Sequence, residues 1–128
     1  MGFRVLIVDD SPAMRSVIRR VLEMSGLPVD GCLEARHGAE ALRIMLRNPI
    51  DVVLTDINMP VMDGEQFLSR IRKHDPFARI PVLVVSTDAS HRRMQRMFEL
   101  GASGYLSKPF FPETLRTEIE RVLEAYNA

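Results

Sequence analysis

Unbroken apolar runs alternate along this chain with longer stretches whose apolar residues recur every three or four positions. Val5-Leu6-Ile7-Val8, Val52-Val53-Leu54 and Val82-Leu83-Val84-Val85 are of the first kind. A short run that is apolar at every position suits a strand covered on both faces. Two further runs, about Asp30 to Ala35 and Gly104-Tyr105-Leu106-Ser107, predict two more strands. Between them lie helical stripes. Met14, Val17, Ile18, Val21 and Leu22 share one face, with Arg15, Arg19 and Arg20 off it. Ser11 is placed to cap that helix and Pro12 to enter it, and Ser25-Gly26-Leu27-Pro28 ends it. Ala39, Leu42, Met45 and Leu46 mark a second helix ending before Asn48-Pro49. Phe67, Leu68 and Ile71 mark a third, opened by Asp63-Gly64. Met94, Met97 and Phe98 mark a fourth, closed at Gly101. Pro112 begins a fifth that carries Leu115, Ile119, Val122, Leu123 and Tyr126.

Five β-α units in a row predict an α/β fold, a doubly wound parallel sheet with helices on both faces. Right-handed crossovers place the carboxyl ends of all five strands on one edge, where open sheets of this kind bind ligands. No linker, repeat or low-complexity segment interrupts the pattern, so residues 1–128 are expected to form a single domain.

The charge changes little in this picture. Seventeen basic and seventeen acidic residues cancel, so no net field favours nucleic acid or an anionic membrane surface. No apolar run reaches membrane-spanning length, and Met1-Gly2-Phe3-Arg4 leads directly into a strand without a signal-peptide pattern. The lone Cys32 is expected to be a buried strand residue, consistent with a reducing cytoplasm. His37, His74 and His91 lack ligand spacing and are expected on the surface or at helix caps.

The strand ends change the picture more. Asp9-Asp10, Asp56, Ser86 and Lys108 each follow an apolar run, so the predicted topology gathers three carboxylates, a hydroxyl and an ammonium on one edge. That set suits a divalent cation and a phosphoryl group. Asp56, alone at the end of the central run, is the natural nucleophile for an acyl phosphate. Asp9 and Asp10 would repel a phosphate unless a hard, oxygen-liganded cation such as Mg²⁺ lay between them. Lys108 is one of only two lysines among seventeen basic residues, so an ammonium here is not the chain's default choice.

Asp9-Asp10, Asp56 followed by Met59-Pro60 and Asp63-Gly64, Ser86, and Lys108-Pro109 together resemble the receiver domain of two-component response regulators, closest to the single-domain, CheY-like type. The resemblance spans the chain. It implies a flavodoxin-like, five-stranded sheet of order 2-1-3-4-5 with five helices. It also implies a stand-alone regulator that accepts a phosphoryl group on Asp56 from a histidine kinase or histidine phosphotransfer protein. Asp10, Asp56 and the backbone carbonyl of Asn58 would hold Mg²⁺, or Mn²⁺ as a substitute, with Asp9 acting largely through water. Lys108 would pair with a phosphoryl oxygen, and Ser86 would donate to the attached group. The Lys108-Pro109 bond is expected cis.

The resemblance further implies a signalling switch rather than a conventional enzyme, cytoplasmic, monomeric or weakly dimeric. With no output domain after Ala128, its target would be another protein. The output surface would be the fourth helix, fifth strand and fifth helix, including Arg92, Arg93, Met94, Tyr105, Ser107 and Arg121, with Tyr105 moving between rotamers. Chemotaxis is one implied pathway, and a phosphate carrier or sink in a relay unrelated to motility is the alternative. Glu118 stands where the chemotaxis type carries Lys, which counts against a flagellar switch as partner. Thr87 replaces the usual Ala or Gly and would shield the acyl phosphate, whereas Asn58 and Asp88 resemble residues of fast-dephosphorylating members.

Other readings fail on particular residues. A flavin binder on this fold needs N–H groups and hydroxyls after the first strand, where Asp9-Asp10 stand. A phosphatase of the haloacid dehalogenase type needs Asp-x-Asp there. A calcium loop from Asp56 would place Phe67 where a bidentate Glu belongs.

Overall fold

The computed structural model describes residues 2–127. Five strands, β1 (Phe3–Val8), β2 (Val29–Ala35), β3 (Val52–Thr55), β4 (Val82–Ser86) and β5 (Gly104–Ser107), alternate with five helices. These are α1 (Pro12–Met24), α2 (Gly38–Arg47), α3 (Gly64–Lys73), α4 (His91–Glu99) and α5 (Pro112–Asn127), with a short 3₁₀ turn at Asp75–Phe77. All strand pairs are parallel, in the order β2-β1-β3-β4-β5. The doubly wound architecture and the 2-1-3-4-5 order therefore hold as expected.

The three unbroken apolar runs are buried on both faces because successive side chains leave the sheet on opposite sides. Leu6, Val8, Val53, Val82 and Val84 pack with Ala41, Met45, Phe67, Leu68, Ile71 and Met97, from α2, α3 and α4. Val5, Ile7, Val52, Leu54, Leu83, Val85 and Leu106 pack with Ile18, Leu22, Leu115, Ile119 and Val122, from α1 and α5. The sheet thus separates two apolar layers. At roughly 1.5–3 kcal/mol per fully buried aliphatic side chain, these layers dominate the favourable side of folding.

The caps follow the sequence signals. Ser11 Oγ accepts from the Met14 N–H, and Asp63 forms a reciprocal capping box with Gln66. His37 caps α2 through its ring nitrogen, which accepts from the Glu40 N–H. His91 is the first residue of α4 and His74 flanks the end of α3, so all three histidines lie at helix termini.

Several predicted core positions are not core. Val17, Leu46 and Phe98, each on a helical stripe, are 52%, 67% and 46% exposed, and Tyr126 is also exposed. Their helices are covered by the sheet on one side only, so residues at the margin of each stripe reach solvent. Cys32 is half-buried rather than buried, because β2 is an edge strand. Burial still pushes its thiol up, out of the reactive range. Among the described residues, no helix is long and apolar enough to cross a membrane.

Candidate functional site

The register of the central strands builds the site. Val8 of β1 pairs with Thr55 of β3, so the next residues, Asp9 and Asp56, leave the sheet side by side. The Asp9 N–H donates to the Ala35 carbonyl at 3.0 Å, and the Asp56 N–H to the Val8 carbonyl at 2.9 Å. On the other side, Ser86 of β4 pairs with Ser107 of β5, and the Lys108 N–H donates to the Ser86 carbonyl at 2.8 Å. Ladder hydrogen bonds thereby carry strand geometry one residue past each strand. The Lys108–Pro109 peptide is cis, as expected.

Asp9, Asp10 and Asp56 each offer a carboxylate oxygen, and these oxygens all lie within 4.8 Å of one another. Their settings differ. Asp9 is buried, with one oxygen accepting from the Ser11 N–H at 2.9 Å and the other 3.1 Å from Lys108 Nζ. Asp10 is exposed and Asp56 is half-buried. One Asp56 oxygen accepts from the Ile57 N–H at 2.7 Å, and the other lies 3.4 Å from Lys108 Nζ. Burial pushes the Asp56 carboxyl above its ordinary range, and Asp9 adds to that. The Ile57 N–H and Lys108 pull it back only in part. The ammonium lies between two carboxylates with only 9% of its side chain exposed. An all-oxygen set at this spacing fits a small hard divalent cation, which would relieve the remaining repulsion.

The loop after β3 has little freedom. A side chain at Gly64 would meet the Asp56 carbonyl oxygen at 2.5 Å and the Ile57 Cα at 2.7 Å. The Gly64 N–H donates to the Ile57 carbonyl at 2.6 Å. Asp63-Gly64 is therefore the α3 cap folded directly against the segment that carries Asp56. Asn58 is exposed within this loop. Val61, 78% exposed, has φ of 66°, a left-handed conformation that a β-branched residue rarely adopts.

Ser86 is buried at the end of β4, and its Oγ accepts from the Asp88 N–H at 3.1 Å. The Tyr105 hydroxyl donates to the Asp88 carbonyl, so the half-buried ring is turned toward the β4–α4 loop. Burial raises the pKa of its phenol. Thr87 is exposed, and the Asp88 carboxylate accepts from the Ser90 N–H at 3.0 Å, which holds it below its ordinary range.

Asp9, Asp10, Asp56, Asn58, Ser86, Thr87, Asp88 and Lys108 thus stand on one sheet edge or in the loops next to it, while Tyr105 lies within β5 and reaches the β4–α4 loop through its hydroxyl. One group at the site lay outside the sequence expectations. Arg15 Nη1 donates to the Asp9 carbonyl at 2.7 Å, while its Nε donates to Glu34 at 2.9 Å. Arg19 donates to the other Glu34 oxygen at 2.6 Å. Burial would raise the Glu34 carboxyl, but the bonds from Arg19 and Arg15 outweigh it and lower the pKa. The i, i+4 spacing of Arg15 and Arg19, off the apolar stripe of α1, was the only signal of this clasp.

The family model described as response regulator receiver domain matches residues 5–120. The chain is 34% identical to the Chemotaxis protein CheY homolog of Campylobacter jejuni, over 94% of this chain and 92% of that protein. It is 37% identical to a segment of Sensor histidine kinase CheAY of Helicobacter pylori, covering 94% of this chain but 15% of that protein. Among solved structures, the chemotaxis response regulator CheY4 of Vibrio cholerae superposes with a TM-score of 0.83 at 35% identity. That match covers 95% of this chain and 99% of the other.

Proposed function

The chain belongs to the response regulator receiver family, and on that premise we propose that it is a phosphorylation switch with Asp56 as phosphoacceptor. The observation that carries this is the Lys108 ammonium bridging Asp9 and Asp56, beside a third carboxylate on the same sheet edge. Asp56 would attack the phosphorus of a phosphohistidine, or of acetyl phosphate, and the donor's nitrogen or acetate oxygen would leave with the electron pair. Asp10, Asp56 and the Asn58 carbonyl would hold Mg²⁺, which supplies charge neutralisation for a phosphoryl group entering an acidic edge. Asp9, already committed to Lys108 and the Ser11 N–H, would act through water.

Lys108 would follow the transferred group and offset the charge on one of its oxygens. Ser86 would donate to another. Its hydroxyl now accepts from the Asp88 N–H, so a new bond there bears directly on the loop that also holds Tyr105. Such a bond exists in one chemical state only, and it can shift the equilibrium of the α4, β5 and α5 surface. A cytoplasmic histidine kinase or phosphotransfer protein is the expected donor and another protein the target, chemotaxis being one setting. Glu118, paired with Arg121 at 2.8 Å, puts a carboxylate where the resemblance expects an ammonium; that difference favours a target other than a flagellar switch and keeps a phosphate carrier or sink in view.

Labelling tests this. Incubation with acetyl phosphate and Mg²⁺ should give one acid-stable, base-labile phosphoryl group per chain, lost in Asp56→Asn. Undiminished label in that variant would remove Asp56 from the role.

A further inference from the structure

Asp88 joins the β4–α4 loop to three different elements. Its N–H is held by Ser86, its carbonyl by Tyr105, and its carboxylate by the first turn of α4. One carboxylate oxygen accepts from the Ser90 N–H at 3.0 Å, and the other lies 3.6 Å from Arg93 Nε. Arg93 is in turn fixed from the far side. Its Nη1 donates to Glu65 of α3 at 2.6 Å, and Glu65 is shared with Arg96 at 3.2 Å. The Arg93 guanidinium therefore lies between two carboxylates, with 29% of its side chain exposed. It borders a cleft of about 350 Å³ lined by Glu65, Asp88, Ser90 and Arg92 among others, so water reaches Asp88.

Taking Asp56 as the phosphoacceptor, we propose that Arg93 is a positioning residue that prolongs the phosphorylated state by keeping the Asp88 carboxylate on α4. Two residues separate Asp88 from Ser86, whose hydroxyl is assigned to the phosphoryl group. A released Asp88 carboxylate can turn back toward that group. There a carboxylate acceptor would speed loss of phosphate by orienting an attacking water and taking its proton. Hydrolysis then proceeds by attack of water on phosphorus as its proton passes to Asp88, cleavage of the phosphorus bond to the Asp56 oxygen, and departure of the electron pair with Asp56. Held by Arg93 and the Ser90 N–H, Asp88 does not reach the water. Glu65 holds the guanidinium where it lies 3.6 Å from Asp88.

The test is a double-mutant cycle on the lifetime of the label. A partly exposed pair with a 3.6 Å separation is a modest interaction, so Arg93→Gln should shorten the lifetime about two- to five-fold. Mg²⁺ affinity should be unchanged, since Arg93 touches none of the three metal-site carboxylates. In an Asp88→Asn background the same substitution should have no effect on lifetime. A purely structural role for Arg93 would act equally in both backgrounds. An unchanged lifetime in Arg93→Gln, or an equal shortening with Asn at position 88, would overturn the role given to Arg93 while leaving Asp56 in place. A wild-type chain that takes no label would overturn the phosphoacceptor assignment and this proposal with it.

Discussion

Lys108→Met removes the ammonium at the site and leaves most of the aliphatic stem, so it probes charge with little change in packing. Lys108 Nζ lies 3.1 Å from Asp9 and 3.4 Å from Asp56. At an effective dielectric of about 20, each pair is worth roughly 5 kcal/mol of gross attraction. The two carboxylates, whose nearest available oxygens are within 4.8 Å, repel by at least roughly 3 kcal/mol on the same scale. Without the ammonium that repulsion is unopposed, and Asp9 is almost fully buried. The net change is smaller than the gross figures, because Asp56 is 17% open to water and one carboxyl can take up a proton. The expected loss is about 2–4 kcal/mol at neutral pH without Mg²⁺, or about 8–16 °C in Tm for a chain of this length. Urea denaturation with and without saturating Mg²⁺ measures it. The variant should recover more stability than the wild type on adding the cation, since the cation then does the neutralising that Lys108 did. An Asp56→Asn background should cut the loss by more than about 1 kcal/mol, because the facing carboxylate pair is gone. An equal loss in both backgrounds would show that Lys108 stabilises by packing alone and refute the electrostatic reasoning.

The remaining predictions concern single positions. Asp56 has a raised carboxyl pKa in the folded state, so its contribution is most favourable below its ordinary value of 3.8 and is lost as pH rises through the higher folded value. Asp56→Asn should accordingly gain stability over the wild type as pH is raised from about 3 to 7; a gap that stays constant over denaturation curves in that range would contradict it. Val61→Gly should raise stability by about 1 kcal/mol, because the strained φ of 66° is relieved while the side chain removed is an exposed one; a lower Tm would count against strain there. Thr87→Ala should shorten the phosphorylated lifetime a few-fold, about 1 kcal/mol in barrier, if the exposed Thr87 shields the acyl phosphate. An equal or longer lifetime in a phosphate-release assay would discard the shielding.

The elements were legible because the chain is locally consistent. Val82 to Val85 has no polar position that a one-sided strand would show, and it is buried on both faces. Ser11-Pro12 and Asp63-Gly64 are helix starts by their chemistry, and both cap as written. Legibility failed where periodicity gives a phase but no width. Val17 and Leu46 sit at the right angle on their helices, yet the sheet they face does not extend under them. Val61 failed for a different reason. Nothing local announces a positive φ at a β-branched residue, which here is the centre of a tight turn closed by the Met62 N–H donating to the Pro60 carbonyl at 2.7 Å. Asp9, Asp56, Ser86 and Lys108 could be placed together from topology alone, since Ser86 ends a strand and each of the others follows one. The clasps around them could not. Arg15 with Glu34 and Arg93 with Glu65 join residues 19 and 28 positions apart through long side chains, whose reach no strand or helix period fixes.

The same division accounts for how the site can hold unlike demands. A chain with no net charge places three carboxylates against one ammonium on a single edge, leaving two negative charges that neighbouring basic groups do not cancel. Arg15 reaches the site, but it bonds the Asp9 carbonyl and gives its charge to Glu34. The two apolar layers lie on the faces of the sheet, away from this edge, so the fold can carry the charge that Lys108 leaves uncancelled there. On the proposed function, an electrostatically incomplete edge on a well-packed scaffold would take up a cation and a phosphoryl group without unfolding the protein. Substitutions that neutralise the edge should therefore stabilise the protein and disable it together, the trade expected where function resides in a few strained charges.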